Sequence, residues 1–259
     1  MEELGHGVTF QYRGKGEKVK RVIASIQSIM NDVCMQLTQR TVQILSTKQH
    51  ELAQIQWRDG ESNTDMGFSR LACACCEEAW NAFNAFNAFP ELQGVTLACT
   101  PPDINLVFVK DGARLATSKI ELKSSKGSVV PGSTIGKLNM NEPVIYCLRN
   151  DADKVYTFRY QQYHACMGET KYDLFQDRTP RPAVNFNKMV DGSTTVPYVK
   201  KEKGDWGIHY AECALERLVS APKHSWQDDL VKTLLDLYVQ RTTVEEFMER
   251  KAMCKKVDG

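Results

Sequence analysis

The chain has 259 residues, 42% of them hydrophobic and 25% charged, proportions that belong to a globular protein and exclude a disordered chain. Lys and Arg number 33 against 32 Asp and Glu, a net charge of +1; nucleic acid would therefore be held by local clusters and not by the field of the whole protein. No run approaches the roughly 20 apolar residues of a membrane span, so no membrane partner is expected.

The opening MEELGHGVTF carries two acids and no apolar segment, so no secretory signal is expected. The nine cysteines, an odd count, argue against a disulfide framework and for a reducing, intracellular (cytoplasmic) compartment. One basic cluster comes first, with Arg13, Lys15, Lys18, Lys20 and Arg21 against Glu17. A second holds Lys119, Lys123, Lys126 and Lys137 against Glu121.

Residues 18–57 carry Val19, Val22, Ile26, Met30, Val33, Leu37, Ile44 and Leu45 at spacings of three and four, which predicts a helix. Its length points to a break near Thr38–Thr41, and it suits either a core or a dimer seam. Asp59–Asn63 is turn chemistry. A second helix is expected from about Thr64 to Phe89, stopped by Pro90, with Leu71, Cys75, Ala82 and Phe86 as its apolar stripe. Glu78 falls in that stripe and Glu77 about 100° to one side. A core-facing acid is costly unless it is paired or holds a cation. Phe83, Phe86 and Phe89 recur in an Asn-Ala-Phe repeat and read as buried rings or an aromatic binding surface.

The middle is β. Ile104–Val109 and Leu115–Lys123 flank Asp111-Gly112, a hairpin signal. Pro143–Leu148 and Val155–Tyr160 flank a turn at Asn150–Asp153. Residues 164–205 read as loops with short strands, and two helices near 208–220 and 226–255 close the chain. The order of elements predicts an α/β (α+β) fold, a central mixed β-sheet flanked by helices. One domain over 1–259 is expected, with a catalytic core at about 64–160, a loop-rich region at about 161–205, and C-terminal helices over 208–255.

The chemistry concentrates in Pro102-Asp103 and, 17 residues on, Glu121-Leu122-Lys123. Glu121 and Lys123, two apart on a strand, face one side, and Leu122 faces the core. A three-residue loop Lys110-Asp111-Gly112 would put Asp103 opposite Lys119 and on the face of Glu121. A two-residue loop would put it on the other face unless a bulge intervenes. Two carboxylates and an ammonium suit a hard cation such as Mg²⁺, which uses few protein carboxylates. Lys123 can orient or deprotonate a water or neutralise a phosphate. The plain alternative is a solvated Glu–Lys pair on a surface hairpin.

In these residues, followed by Ser124-Ser125-Lys126-Gly127, the chain resembles the PD-(D/E)xK nuclease superfamily and within it the type II restriction endonucleases. The match is direct over about 25 residues, and the order of elements extends it to about 65–160. The resemblance implies a restriction-endonuclease-like core and Mg²⁺-dependent cleavage of double-stranded DNA, with Mn²⁺ as a substitute, leaving 5′-phosphates. It further implies Asp103 and Glu121 as metal ligands with the Leu122 carbonyl, and Lys123 positioning the attacking water. A helix Glu near the metal is also implied: Glu78, with Glu77 second and Glu61 third. A palindromic site would be met by a homodimer. Ser125, Lys126 and Ser128 follow the catalytic strand and are candidate DNA-backbone contacts.

Gly132–Leu138 resembles a phosphate loop but departs from a Walker A in its spacing and in Leu138; Lys137 there is a candidate DNA contact. Residues 161–205 offer Gln161, Gln162, Arg178, Arg181, Asn185, Asn187 and Lys188 for base or backbone contacts. Cys73 and Cys76, with Cys99, His164 or Cys166, read as buried thiols in preference to a zinc site. A junction-resolving or repair nuclease of the same core, and a non-catalytic DNA-binding protein on that scaffold, are the alternatives.

Overall fold

The computed structural model describes residues 9–10, 17–57, 66–82, 92–133, 139–168 and 182–201. The chain divides into two units, 1–206 and 207–259, and the described elements all lie in the first. The turn at 59–63, Glu61, the three phenylalanines of the Asn-Ala-Phe repeat and the two C-terminal helices lie outside the described residues.

Helical periodicity carries further than expected. After the two-residue strand β1 (Thr9–Phe10), helix α1 runs unbroken from Glu17 to Thr47. The expected break at Thr38–Thr41 is corrected: it falls at Lys48, before the single turn α2 (Gln49–Leu52). Thr38 and Thr41 are accommodated within the helix, their hydroxyls satisfied by donating to the carbonyls of Cys34 at 2.6 Å and Leu37 at 2.8 Å, one turn back. Both are fully buried. Met30, Val33, Leu37 and Leu45 enter the main core, so this helix is a core element.

Helix α3 spans Met66–Ala82, and its phase corrects the expected stripe. The buried face is Phe68, Ala72, Cys73, Cys75, Cys76, Ala79 and Trp80, while Ala82 is exposed and Leu71 only partly buried. Trp80 meets Phe108 of the sheet edge-on at 5.5 Å between ring centroids, a pairing worth about 0.5–1.5 kcal/mol beyond its buried area.

The central sheet contains β2 (Val95–Thr100), β3 (Ile104–Lys110), β4 (Ala113–Ser125), β6 (Pro143–Asn150) and β7 (Val155–Gln162), in the order β2-β3-β4-β6-β7. β1 adds to β4. All neighbours are antiparallel except β4 and β6. The sheet is mixed because the β4–β6 connection detours through β5 (Val129–Pro131), which belongs to a small sheet ordered β5-β9-β8. β8 is Met167–Gly168 and β9 is Ala183–Asn185; helix α4 (Tyr163–Cys166) precedes β8, and a 3₁₀ turn, Phe186–Lys188, follows β9. Where described, the stretch read as loops with short strands, 164–205, holds these short elements up to Lys188 and no helix or strand over 191–201. β2 went unread in the sequence; it is an edge strand on which the Glu77 carboxylate accepts from the Cys99 amide at 2.9 Å.

Alternation sorts side chains to two faces. Ile104, Leu106, Phe108, Ala116, Ile120, Leu122, Ile145 and Cys147 join the core under α1 and α3. Val144 and Tyr146 join a second core with Tyr163, Cys166, Val184 and Phe186. Both ends of β7 are tied by side-chain amides that mimic a strand. Gln49 donates to the Tyr156 carbonyl and accepts from its amide, both at 2.9 Å. Gln162 accepts from the Val199 amide at 2.7 Å and donates to its carbonyl at 3.1 Å. Gln162 is buried, which removes it from the candidates for base reading.

The hairpin corrects the expected three-residue loop. Lys110 pairs with Ala113 across a two-residue turn. Asp111 and Gly112 have φ of 51° and 76°, the type I′ geometry that matches strand twist. The register then shifts, because Val109 pairs with Arg114 but Phe108 with Ala116. Leu115 is the extra residue of a bulge. That one residue restores the parity that puts Asp103 on the face of Glu121.

Candidate functional site

β4 changes partner where the charged residues lie. Its ladder with β3 ends at Ile104–Ile120, and its ladder with β6 begins at Glu121–Val144. Past Ile120 the β3-facing edge of β4 has no strand beside it among the described residues, because the chain entering β3 turns away at Asp103, a non-glycine residue at φ 57°. Asp tolerates this left-handed conformation better than most residues. The Asp103 carboxylate supplies the missing partner: Oδ1 accepts from the Leu122 amide at 2.9 Å. This is a charge-assisted bond of the stronger kind, about 1.5–3 kcal/mol. Leu122 itself is buried in the helix-side core, so its backbone serves the site and its side chain the fold.

The charges then interlock. The Lys119 ammonium lies 3.0 Å from Asp103 Oδ2 and also bonds Glu121 Oε2. Lys123 Nζ donates to Glu121 Oε1 at 2.6 Å, and Ser133 Oγ donates to the same oxygen at 2.9 Å. Glu121 is 4% exposed. Burial alone would raise its carboxyl, but Lys123 and Lys119 outweigh this and hold it down to about 2. Burial works against the Lys119 charge as well, and Glu121 and Asp103 overcome it, raising that ammonium above its usual range. Glu142, half-buried, responds the other way. Burial lifts its carboxyl to about 7, Lys119 opposes the rise and Glu121 adds to it.

Ser133, two residues past β5, is held from α4 and from the residue before β9. Its amide donates to the Tyr163 hydroxyl at 2.5 Å, and the Gly132 amide donates to the Pro182 carbonyl at 2.8 Å. Only glycine fits at 132: a Cβ there would lie 2.0 Å from the Tyr163 hydroxyl and 2.4 Å from the Pro182 carbonyl. We expect Gly132→Ala to cost about 1–3 kcal/mol, read as a lowered urea midpoint. The Gly132–Leu138 stretch, a phosphate-loop lookalike in sequence, thus begins by bracing Glu121; Lys137 lies outside the described residues.

The structure brings Asp103, Glu121, Lys123 and the Leu122 backbone together. It does not bring Glu78 to them: that side chain is 58% exposed and lies 3.8 Å from Lys48. The expectation that Glu78 faces the core is corrected, because the helix phase turns Glu77 inward instead, onto the Cys99 amide. Lys119 and Ser133 were missed as site residues. Lys119 was legible from the same alternation that pairs Glu121 with Lys123; Ser133 had no local signal.

Of the residues suggested for DNA contact, Arg178 and Arg181 join Lys137 outside the described residues. The Ser125 hydroxyl accepts from the Gly127 amide at 3.0 Å, and Lys126 lies 3.3 Å from Asp151. The Ser128 carbonyl accepts from the Phe186 amide at 2.8 Å. Asn185 caps the 3₁₀ turn, accepting from the Asn187 amide at 2.9 Å, and Lys188 Nζ donates to the Met167 carbonyl at 3.0 Å. Asn187 and Lys188 are exposed.

Cys73, Cys75 and Cys76 are buried free thiols; burial pushes Cys73 up to about 12 and Cys75 up to about 11. Cys73 and Cys75 are packing cysteines, as buried thiols of raised pKa are unreactive, and Cys76 is packed in the same core. Cys73 touches the site by donating to the Asp103 carbonyl at 3.6 Å. Among the described residues no group of three or more His, Cys, Asp and Glu side chains converges as around a metal ion, and no helix is long and apolar enough to cross a membrane. No protein-family model, curated protein or solved structure matches the chain.

Proposed function

We propose that the chain is a Mg²⁺-dependent endonuclease of double-stranded DNA, similar to the type II restriction enzymes of the PD-(D/E)xK superfamily, acting in a reducing intracellular compartment as a homodimer. One observation carries the reading: two carboxylates, Asp103 from the turn before β3 and Glu121 from β4, share a single cation, the Lys119 ammonium, on the open edge of β4. The donor set fits a hard divalent ion. Asp103 and Glu121 offer carboxylate oxygens, and the Leu122 carbonyl leaves β4 on the same edge as its amide. Mg²⁺ commonly uses one or two carboxylates and keeps several waters, so fewer than three acidic side chains suffice; Mn²⁺ would use the same oxygens.

When bound, the ion's contribution is to neutralise charge that develops on the phosphoryl oxygens. Lys123, anchored on Glu121 Oε1, directs its remaining protons toward a water placed for in-line attack at phosphorus. Ser133 keeps Glu121 from rotating. Attack forms the new P–O bond as the water's proton passes to solvent, and breaks the bond to the 3′ oxygen, which takes a proton from solvent, leaving a 5′-phosphate and a 3′-hydroxyl. Ser125, Lys126, Ser128, Asn185, Asn187 and Lys188 are the proposed DNA-facing residues, with Lys137, Arg178 and Arg181.

A non-catalytic DNA-binding protein is the second reading. It is favoured by the fact that two ammonium groups already balance the two carboxylates. Supercoiled plasmid incubated with Mg²⁺ or with EDTA separates the two. We expect discrete fragments with Mg²⁺ and none with EDTA. A smear points to a nuclease without base specificity, and unchanged plasmid that is still retarded on a gel supports the binding protein.

A further inference from the structure

Lys119 stands where an incoming cation would have to go. Alternation puts it on the same face as Glu121 and Lys123, and its strand partner is Asn105. Its ammonium engages Asp103 Oδ2 and Glu121 Oε2 at once, whereas Lys123, among the described residues, pairs with Glu121 through Oε1. A Mg²⁺ ion binds carboxylate oxygens at about 2.0–2.1 Å, too close for an ammonium to keep the same lone pairs. Charge leads to the same conclusion. The two carboxylates are already balanced by Lys119 and Lys123, so a divalent ion added to the intact cluster leaves two surplus positive charges in a half-buried site. With Lys119 expelled the surplus is one, which a single phosphodiester neutralises. The side chains differ in freedom as well: Lys119 is 32% exposed and Lys123 17%.

We propose that Lys119 is a built-in counter-cation of this centre: it fills the space between Asp103 and Glu121 until a divalent ion displaces it, and so sets the affinity for that ion. It is a positioning residue, and the inference rests on the metal-centre reading of the same residues. Displacement makes ion binding and phosphate binding mutually reinforcing, because the expelled charge is what allows one phosphate to complete a neutral site.

The test is calorimetric titration of the full-length chain with Mg²⁺ or Mn²⁺, without DNA, comparing wild type with Lys119→Met. We expect the variant to bind at least about tenfold more tightly, a modest share of what removing a unit positive charge a few ångströms away can provide. Equal or weaker binding by the variant, with the wild type binding normally, overturns the role of Lys119 and leaves the metal centre standing. Binding by neither protein overturns both. A second measurement needs no variant. Acetylation of the wild-type lysines by an active ester, quantified peptide by peptide, should label Lys119 several-fold more in the presence of Mg²⁺. Labelling of Lys119 that does not change with Mg²⁺ overturns the inference.

Discussion

Lys123→Ala is expected to lower Mg²⁺-dependent cleavage of supercoiled DNA by about 10²–10³-fold, the usual loss when one aligned electrostatic or hydrogen-bonding group is removed from a transition state. The site explains why chemistry and binding should part company. Lys123 lies 2.6 Å from Glu121 Oε1, and its removal leaves Glu121 with Lys119 and Ser133. The carboxylate thus stays paired and the fold should survive. DNA affinity should change little, since Lys123 is anchored on Glu121 and the proposed DNA-facing residues are left in place. Single-turnover cleavage and gel retardation on the same preparation provide the comparison. Undiminished cleavage by the alanine variant removes Lys123 from the mechanism.

Glu121→Gln should be the most damaging single change to both stability and activity. The carboxylate is buried and accepts from Lys119, Lys123 and Ser133. Gln keeps the shape but removes the charge that justifies two ammonium groups in that position. Breaking a buried pair from one side costs about 3–5 kcal/mol, and the partial exposure of both lysines argues for the lower end. The pH dependence has a definite sign. Burial tends to raise the Glu121 carboxyl, but Lys123 and Lys119 outweigh it and hold the folded-state value near 2, below its ordinary 4.5. The stabilisation is therefore complete above about 4.5 and is lost as pH falls through about 2. Urea unfolding of the two proteins should show a gap at pH 7 that persists to about 4.5 and narrows toward 2. A gap independent of pH would mean that packing, and not this charge, is what the substitution removes. Cleavage should be lost along with the stabilisation at neutral pH.

Much of the site's local geometry was legible before any fold was known. Glu121 and Lys123 share a face because strand residues alternate, and Leu122 between them is apolar because that face is core. Asp111-Gly112 announced the turn, since both residues accept positive φ. The bulge at Leu115 was not legible. It moves every side chain beyond it to the opposite face, and no residue type marks it. The phase of α3 was not legible either, because alanine and cysteine at 72, 73, 75, 76 and 79 are small enough to fit a core on several sides. Only the packing of Phe68 and Trp80 against the sheet selects one face, and that choice turns Glu77 inward and Glu78 toward Lys48.

By itself, the order of residues determined the strands of the hairpin, the long first helix, the mixed α/β character and the pairing of Glu121 with Lys123, because these depend on periodicity and turn chemistry within short stretches. Only the tertiary structure decided that Asp103 would cap the Leu122 amide, that Lys119 would bridge Asp103 and Glu121, and that Ser133 would reach Glu121 from just past β5. Apart from Lys119 with Glu121, which are neighbours on one face of β4, those contacts join residues 12 to 19 positions apart. Their distances depend on where β4 leaves β3 for β6, a consequence of whole-chain packing that no local pattern encodes.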